Sequence, residues 1–389
     1  MQNFTYYNPT KLIFGQGTET QIGAEMAQWA TDAKKLLVVY GGGSAVRSGL
    51  LDRVTASCEA AGLTVVTKGG VQPNPTVEFV RECIDVARSE GVDALLAVGG
   101  GSVIDTVKAA AMGVPYEGDV WDFYCGKAQP QSALPVGCVL TIPAAGSEQS
   151  IRTVITNGTV KAGAGTNVIR PKVSVINPEL FYTLPQKQVS AGVIDMMSHI
   201  MERYFTNTEG VDFTSGQAEA ALRSIMRNAV KLMDNQQDYD AWAQIGLAGS
   251  FAHNGYYGLG FEEDWACHGM EHALSGWDPS ITHGDGLAAI TPSWMSYVWA
   301  ANPARFDRFA KEVFAVDTTV GDTESHVQMA VAKLKAFLML MNLPTQMSHL
   351  TDKEIPIKEI AAAATKNGPL GHFRPLEEKD VEAILRSAL

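Results

Sequence analysis

Short apolar, β-branched runs alternate with amphipathic stretches along the first half of the chain, and this alternation predicts strands at Lys11–Phe14, Leu36–Tyr40, Leu63–Thr67, Ala94–Val98, Cys138–Ile142, Ile151–Thr156 and Val173–Asn177. Helical patterns follow most of the early strands, which implies βαβ units and a mainly parallel sheet. Asn74-Pro75 reads as the N-cap and first position of one such helix, and Glu90-Gly91 as its end. From Pro185 the β-rich runs stop. Helical periodicity takes over at Gln186–Phe205, Phe213–Met233, Tyr239–Asn254, Trp265–Ser275, Gly286–Ala301, His326–Met341 and Glu378–Ala388. The change of period predicts an α/β, Rossmann-like domain over residues 1–184 and an all-α domain over 185–389.

A chain of 389 residues suits two domains of roughly 200 residues better than one core. The net charge of −12, with no run of Lys or Arg, argues against a nucleic-acid partner. The segment Met1-Gln2-Asn3-Phe4-Thr5 has no basic, then apolar, leader pattern, and no apolar stretch reaches the roughly 18 residues of a membrane span. A cytoplasmic protein is expected. Cys58, Cys83, Cys125, Cys138 and Cys267 are odd in number and lack C-x-x-C spacing, as reduced core thiols do.

One glycine turn occurs twice. Leu36–Tyr40 leads through Gly41-Gly42-Gly43-Ser44 into a helical stretch over Ala45–Ala60, and Ala94–Val98 leads through Gly99-Gly100-Gly101-Ser102 into another over Val103–Met112. Glycines let backbone N–H groups approach a phosphate, and the following helix N-terminus adds free donors. Two such turns can hold a diphosphate; their blander role is that of tight βα connections with Ser N-caps. The dinucleotide fingerprint Gly-x-Gly-x-x-Gly is absent from both. No acid follows Tyr40 to grip a ribose 2′-hydroxyl, which leaves room for a 2′-phosphate beside Ser44 and Arg47. NADP(H) is therefore expected over NAD(H).

The second half holds the metal chemistry. Asp195 and His199 stand four apart on one helix face, in a segment apolar nearly all round, where an ionised carboxylate needs a partner or a metal. His268 and His272 form a second pair at the same spacing, and His283 follows in what reads as a loop. These five groups compete for four places. Asp195, His199, His268 and His283 are assigned as ligands drawn from two helices and a loop, leaving His272 free as a proton carrier in the pocket. His253 and His372 lack such companions. Asp264 reads as an N-cap, and Glu271 as solvated or as supporting a ligand. Three imidazoles and one carboxylate suit Fe²⁺, Zn²⁺, Co²⁺ or Ni²⁺. Such an ion keeps net positive charge, so it can lower the pKa of an alcohol or polarise an aldehyde carbonyl.

At these residues the chain resembles the iron-containing (group III) alcohol dehydrogenases, in the branch of NADPH-dependent butanol dehydrogenases and broad-range aldehyde reductases. The likeness spans nearly the whole length. It rests on Asn8-Pro9-Thr10 with Phe14-Gly15-Gln16-Gly17, Tyr40–Ser44, Pro73-Asn74-Pro75, the stretch Ala97–Asp105, Thr141–Glu148, Asp195-x3-His199, Asp264-Trp265, His268-x3-His272 with Glu271, and Ile281-Thr282-His283-Gly284. The resemblance implies a dehydroquinate-synthase-like fold, a metal in the interdomain cleft, a homodimer, and a small alcohol or aldehyde such as butanol or butanal as substrate. It places the metal on Asp195, His199, His268 and His283, and the nucleotide on Gly41, Gly42, Ser44, Asn74, Gly100, Ser102, Asp105, Thr141, Ser147 and Lys161, with Leu184 lining the site. Lys161 is carried over because it lies ten positions before Pro171; by itself it reads as a solvated lysine in a turn. Ala145 departs from the family, where many members have Thr. Two rivals stand beside this assignment. A metal-dependent cyclase or lyase of the dehydroquinate synthase kind would want several basic groups near the metal, where only Arg203 appears. The other rival is a metal- and nucleotide-binding sensor without turnover.

Overall fold

Strands β1 (Lys11–Phe14), β2 (Lys35–Tyr40), β3 (Thr64–Gly69), β4 (Ala94–Gly99), β5 (Val136–Leu140) and β8 (Val173–Ile176) form one sheet in the order β1-β8-β5-β4-β2-β3, with every pairing parallel. Between β5 and β8, strands β6 (Arg152–Asn157) and β7 (Val160–Gly165) make a separate antiparallel hairpin. The computed structural model describes all 389 residues. β4 and β5 are buried along their whole length, as parallel strands covered on both faces are. On one face Leu36, Val38, Leu96, Val98 and Val175 pack on Ile22 and Met26 of α1 (Ile22–Met26) and on Val54 and Cys58 of a later helix.

The helices of this unit differ from expectation in two places. The helix expected over 45–60 is broken into α2 (Ser44–Arg47) and α3 (Leu50–Ala60), because Gly49 takes a left-handed φ of 67° that no helix can propagate. Asn74 is not an N-cap. It has a φ of 54°, so the chain turns there, Pro75 O accepts from Thr156 N at 2.8 Å, and Thr76 caps α4 (Val77–Glu90) by accepting from Phe79 N at 3.4 Å. Gly91, at φ 61°, ends α4 as the pattern predicts. Nor are Ser44 and Ser102 caps: Gly43 and Gly100 hold those positions, with α5 running over Gly101–Gly113. Lys161, expected in a turn, sits on β7 opposite Thr156. β7 escaped prediction because Lys-Ala-Gly-Ala-Gly has little β-propensity; the Gly158-Thr159 turn, with φ 60° at Gly158, pairs it with β6.

From Leu184 onward the elements are helical: α6 (Gln186–Tyr204), α7 (Asp212–Asp234), α8 (Tyr239–Ala252), α9 (Ala266–Trp277), α10 (His283–Val298), α11 (Pro303–Phe314), α12 (Thr323–Leu340), α13 (Ile357–Ala364) and α14 (Glu378–Ser387). Contacts group the chain into one unit of Tyr7–Thr183 and another of Leu184–Leu389 joined by Met1–Tyr6. α6 is the hub of the second unit. Every residue from Val189 to Tyr204 is buried, and α7, α8, α9 and α10 all pack against it. Gly284 makes one of these contacts possible, since a Cβ there would collide with the backbone of Ala191. That close approach sets the start of α10, and with it His283, against α6. No helix is long and apolar enough to cross a membrane.

Candidate metal centre and nucleotide edge

Helical spacing puts Asp195 and His199 on one face of α6, and the packing of α9 and α10 brings two more imidazoles to that face. Asp195 Oδ1 lies 3.4 Å from His199 Nδ1, 3.6 Å from His268 Nε2 and 3.6 Å from His283 Nε2. Two ligands of a tetrahedral ion, each about 2.1 Å from it, stand roughly 3.4 Å apart. Asp195 Oδ1, His199 Nδ1 and His268 Nε2 are buried and have no hydrogen-bond partner. Orphaned polar atoms are rare in folded proteins and costly. Three that converge on one point fit a divalent cation, and the donor set fits its chemistry. The fourth group comes from the first residue of α10 rather than from a loop, so three helices supply the cluster.

His283 is the open member. Its side chain is 26 % exposed, against 7 % for Asp195 and 8 % for His268, so the cluster faces solvent on the His283 side. His272, one turn after His268 on α9, lies on that side with its ring 5.5 Å from His283 and 6.1 Å from His268. Glu271 is not solvated. It is fully buried, and His283 Nδ1 donates to its Oε2. In the same way His268 Nδ1 donates to Glu202 Oε2, while Glu202 Oε1 accepts from His268 N at 3.0 Å. Burial works against a charged His268, but Glu202 and Asp195 overcome it and push the ring up to about 10. His199 goes the other way: burial, then the His253 and His268 rings, hold it well below the ordinary histidine value.

His253, which looked solitary in the sequence, packs against His199 with ring centroids 4.4 Å apart and ring planes tilted by 54°. Its position after α8 gives no periodic signal. Trp265 joins the same group: its ring lies 5.9 Å from His199, 5.5 Å from His253 and 5.3 Å from His268. It adopts a left-handed φ of 70°, a strain of about 1–3 kcal/mol for a bulky residue. Asp264 holds this turn: Oδ2 accepts from Ala266 N at 3.1 Å, and Oδ1 accepts from His372 N and Phe373 N, each at 2.8 Å. Trp265 therefore takes the N-cap position expected of Asp264, and Asp264 latches α9 to the 372–373 segment. Cys267 is a buried thiol whose pKa burial raises, unlike a metal ligand.

In the other unit, the two glycine turns leave neighbouring strands at the same edge. β2 pairs with β4 up to Tyr40↔Val98, and β4 with β5 up to Gly99↔Leu140, so Gly41–Ser44, Gly99–Ser102 and Thr141 adjoin one another at the carboxyl ends. Thr141 N donates to Gly99 O at 3.0 Å. β3 lies on one side of β2 and β4 on the other, making this the point where strand order reverses and where open α/β sheets bind ligands. Asn74 joins the same edge from the loop after β3. A Cβ at Gly42 would meet nothing within 4 Å, whereas one at Gly100 would lie 2.9 Å from Ile142 Cβ. Ala145 Cβ lies 3.2 Å from where a Cβ at Gly101 would be. A nearby guanidinium, that of Arg47, folds back over Gly43.

Asp105, on α5, is bonded to Ser147 and to the backbone of β6. Ser147 Oγ donates to Asp105 Oδ1 at 2.6 Å, and Val154 N to Asp105 Oδ2 at 2.9 Å, so both side chains are engaged within the protein. Lys108, fully buried one turn along α5, donates to Ser147 Oγ, Ser150 O and Arg152 O, each at 2.9 Å. Burial pulls its pKa down to about 8, with Asp105 pulling the other way. The one mark of Lys108 in the sequence is its place inside the apolar run Val107–Met112. Leu184 begins the helical unit, half-buried beside Pro185.

Comparison with known proteins adds the family to this geometry. The model described as "Iron-containing alcohol dehydrogenase" matches residues 9–178, and the one described as "Fe-containing alcohol dehydrogenase family, C-terminal" matches 189–389. The chain is 40 % identical over 393 residues to a probable NADH-dependent butanol dehydrogenase 1 of Bacillus subtilis (strain 168), covering 100 % of both chains. It is 33 % identical to the NADPH-dependent aldehyde reductase YqhD of Escherichia coli (strain K12), covering 98 % of this chain and 97 % of that one. Among solved structures, that of NADH-dependent butanol dehydrogenase A from Thermotoga maritima superposes with a TM-score of 0.95 at 38 % identity, covering 100 % and 99 %. A parallel α/β unit, a helical unit and a family of divalent-metal, nicotinamide-using oxidoreductases agree: this chain belongs to the iron-containing alcohol dehydrogenases.

Proposed function

We propose that the chain interconverts a small primary alcohol and its aldehyde, of the size of butanol and butanal, with NADP(H) as the preferred hydride carrier. In this reading Asp195, His199, His268 and His283 hold one divalent metal, Fe²⁺ or Zn²⁺, and residues 1–184 form the nucleotide domain, 185–389 the metal domain. The observation that carries it is the convergence of three imidazole nitrogens on Asp195 Oδ1, at 3.4–3.6 Å, with orphaned atoms among them. When bound, the metal supplies positive charge to polarise a substrate oxygen, and the nicotinamide supplies or accepts the hydride.

The chain's own residues do the rest. Gly41, Gly42, Gly100 and Ser102 offer backbone N–H groups to the nucleotide's phosphates, and Asn74 and Thr141 border the same edge. Asp105, Ser147 and Lys108 hold the 141–152 turn in place. Lys161, on the β6–β7 hairpin, and Leu184 complete the proposed nucleotide contacts. His272, on the exposed side of the cluster, carries the proton between substrate oxygen and solvent. Trp265 and His253 wall the cluster on the His199 side. The unit of function is proposed to be a homodimer.

The cofactor preference rests on the turn. Gly41–Ser44 places no carboxylate where a 2′-phosphate would sit, and Arg47 leans over Gly43 with Ser44 beside it. The relatives' names point both ways, NADH for the Bacillus and Thermotoga proteins and NADPH for the Escherichia coli one. The test is a comparison of kcat/KM for NADPH and NADH with butanal after loading with Zn²⁺ or Fe²⁺, read at the nicotinamide absorbance. Higher kcat/KM with NADPH is expected. Equal values would defeat the cofactor argument, and no turnover with any of a panel of aldehydes, in metal-loaded protein, would defeat the proposed activity.

A further inference from the structure

We infer that Glu202 and Glu271 are positioning residues that set how tightly the Asp195–His199–His268–His283 cluster holds a divalent cation. The inference rests on the metal-centre reading and deepens it. Each carboxylate accepts a hydrogen bond from the Nδ1–H of one imidazole, Glu202 from His268 and Glu271 from His283. A carboxylate can only accept, so Nδ1 keeps its hydrogen and Nε2 is the atom that gives its lone pair when a cation takes the place of a proton there. Both Nε2 atoms then stand at the same 3.6 Å from Asp195 Oδ1. Two separate helices, α6 and α9, supply these acceptors, and neither is exposed by more than 2 %.

The contrast with the third imidazole supports a role beyond packing. His199 borders His253 and Trp265, and the charge beside it other than Asp195 is Arg203, whose Nη1 donates to His199 O at 2.8 Å. Its ring receives no buried glutamate. Within one cluster, therefore, two imidazoles have their donor strength raised by an anion at the far ring nitrogen, and one does not. Glu202 does more than its counterpart, since it also binds the backbone N of His268 and so fixes where on α9 that ligand begins. Losing such an outer partner costs about 10–100-fold in metal affinity.

The experiment is Co²⁺ binding to the metal-stripped full-length protein, by chelator competition and by the visible ligand-field bands. Glu202→Gln and Glu271→Gln keep an acceptor oxygen and remove the charge; each is expected to weaken Co²⁺ about tenfold, with Leu at either position near 100-fold. Their bands should shift, which a purely structural role would not produce. Glu219→Gln, at a buried glutamate bonded to Tyr204 and Arg308, serves as control and should bind as wild type does. Should a leucine variant fail to fold by circular dichroism, the glutamine variants decide. Folded glutamine variants that bind Co²⁺ within twofold of wild type, with superimposable bands, would overturn the inference. A wild-type protein that takes up no Co²⁺, Zn²⁺ or Fe²⁺ would instead overturn the metal-centre reading itself, a distinct result.

Discussion

The candidate metal cluster and the candidate nucleotide edge are built from opposite materials. The cluster consists of side chains that converge from three helices, with donor atoms 3.4–3.6 Å from one oxygen and carboxylates behind two of the rings. The edge consists mainly of backbone, at Gly41–Gly43 and Gly99–Gly101, bared by the absence of side chains. A side-chain site concentrates its chemistry in a few atoms, so one truncation should abolish it. A backbone site spreads its chemistry over many N–H groups, and single substitutions should act by fractions.

The sharpest way to break that contrast is at His268. His268→Ala is expected to eliminate stoichiometric metal and lower kcat by at least about 10³-fold, since the charge stabilisation a metal provides is worth several kcal/mol. The protein should remain folded by circular dichroism. Retention of one metal per chain in the variant would remove His268 from the ligand set.

Lys108 tests whether the edge depends on a buried support. Lys108→Met keeps the stem's bulk but leaves Asp105 buried without its cation and the turn oxygens of residues 147–152 without a donor. Buried acceptors left without their donor cost about 1–3 kcal/mol each, so a loss of at least about 2 kcal/mol is expected. Urea unfolding is the check. A loss under about 1 kcal/mol would show that Asp105 becomes neutral at little cost. Adding Asp105→Asn should recover part of the stability, because the uncompensated charge is then gone.

The two regions were also unequally legible in the sequence. Asp195 and His199 announce themselves as an i,i+4 pair in an otherwise apolar helix, and the Gly-Gly-Gly-Ser turns announce themselves by composition. The strands were legible where β-branched residues dominate and failed at Val160–Gly165, where a hairpin forms through its turn and partner instead. Asn74 followed no helix rule, because a left-handed residue and a bond from Thr156 N to Pro75 O displaced the cap by two positions. His253 carried no signal as a site residue and Trp265 only that of an aromatic that could as well be core, since only packing between α6, the end of α8 and the start of α9 brings their rings to His199. Glu202 carried a partial signal, one turn after His199 on the same helix, that spacing alone could not separate from a surface charge.

Arg47 bears on cofactor choice with a smaller expected effect. Arg47→Ala should lower the NADPH-to-NADH ratio of kcat/KM by about tenfold, the scale of one exposed hydrogen bond to a charged group. kcat with NADH should be unchanged. A ratio that stays constant would remove Arg47 from recognition of the 2′-phosphate and leave Ser44 as its side-chain donor.

The mildest test separates the two glycine turns from each other. Gly42 has a φ outside the left-handed range and open space where a Cβ would go, so Gly42→Ala is free of steric cost and should even gain about 0.4–1 kcal/mol through the unfolded chain. Gly100→Ala, by contrast, would push on Ile142 from 2.9 Å and should lose stability before any nucleotide is considered. If a diphosphate lies close over the first turn, the added methyl at Gly42 raises the nucleotide KM about threefold, roughly 0.6 kcal/mol, in a protein no less stable than wild type. An unchanged KM in that variant would mean the backbone of the first turn is not in close contact with phosphate. The phosphate contacts would then fall to Gly99–Ser102, where α5, thirteen residues long, presents a stronger helix N-terminus than the four-residue α2.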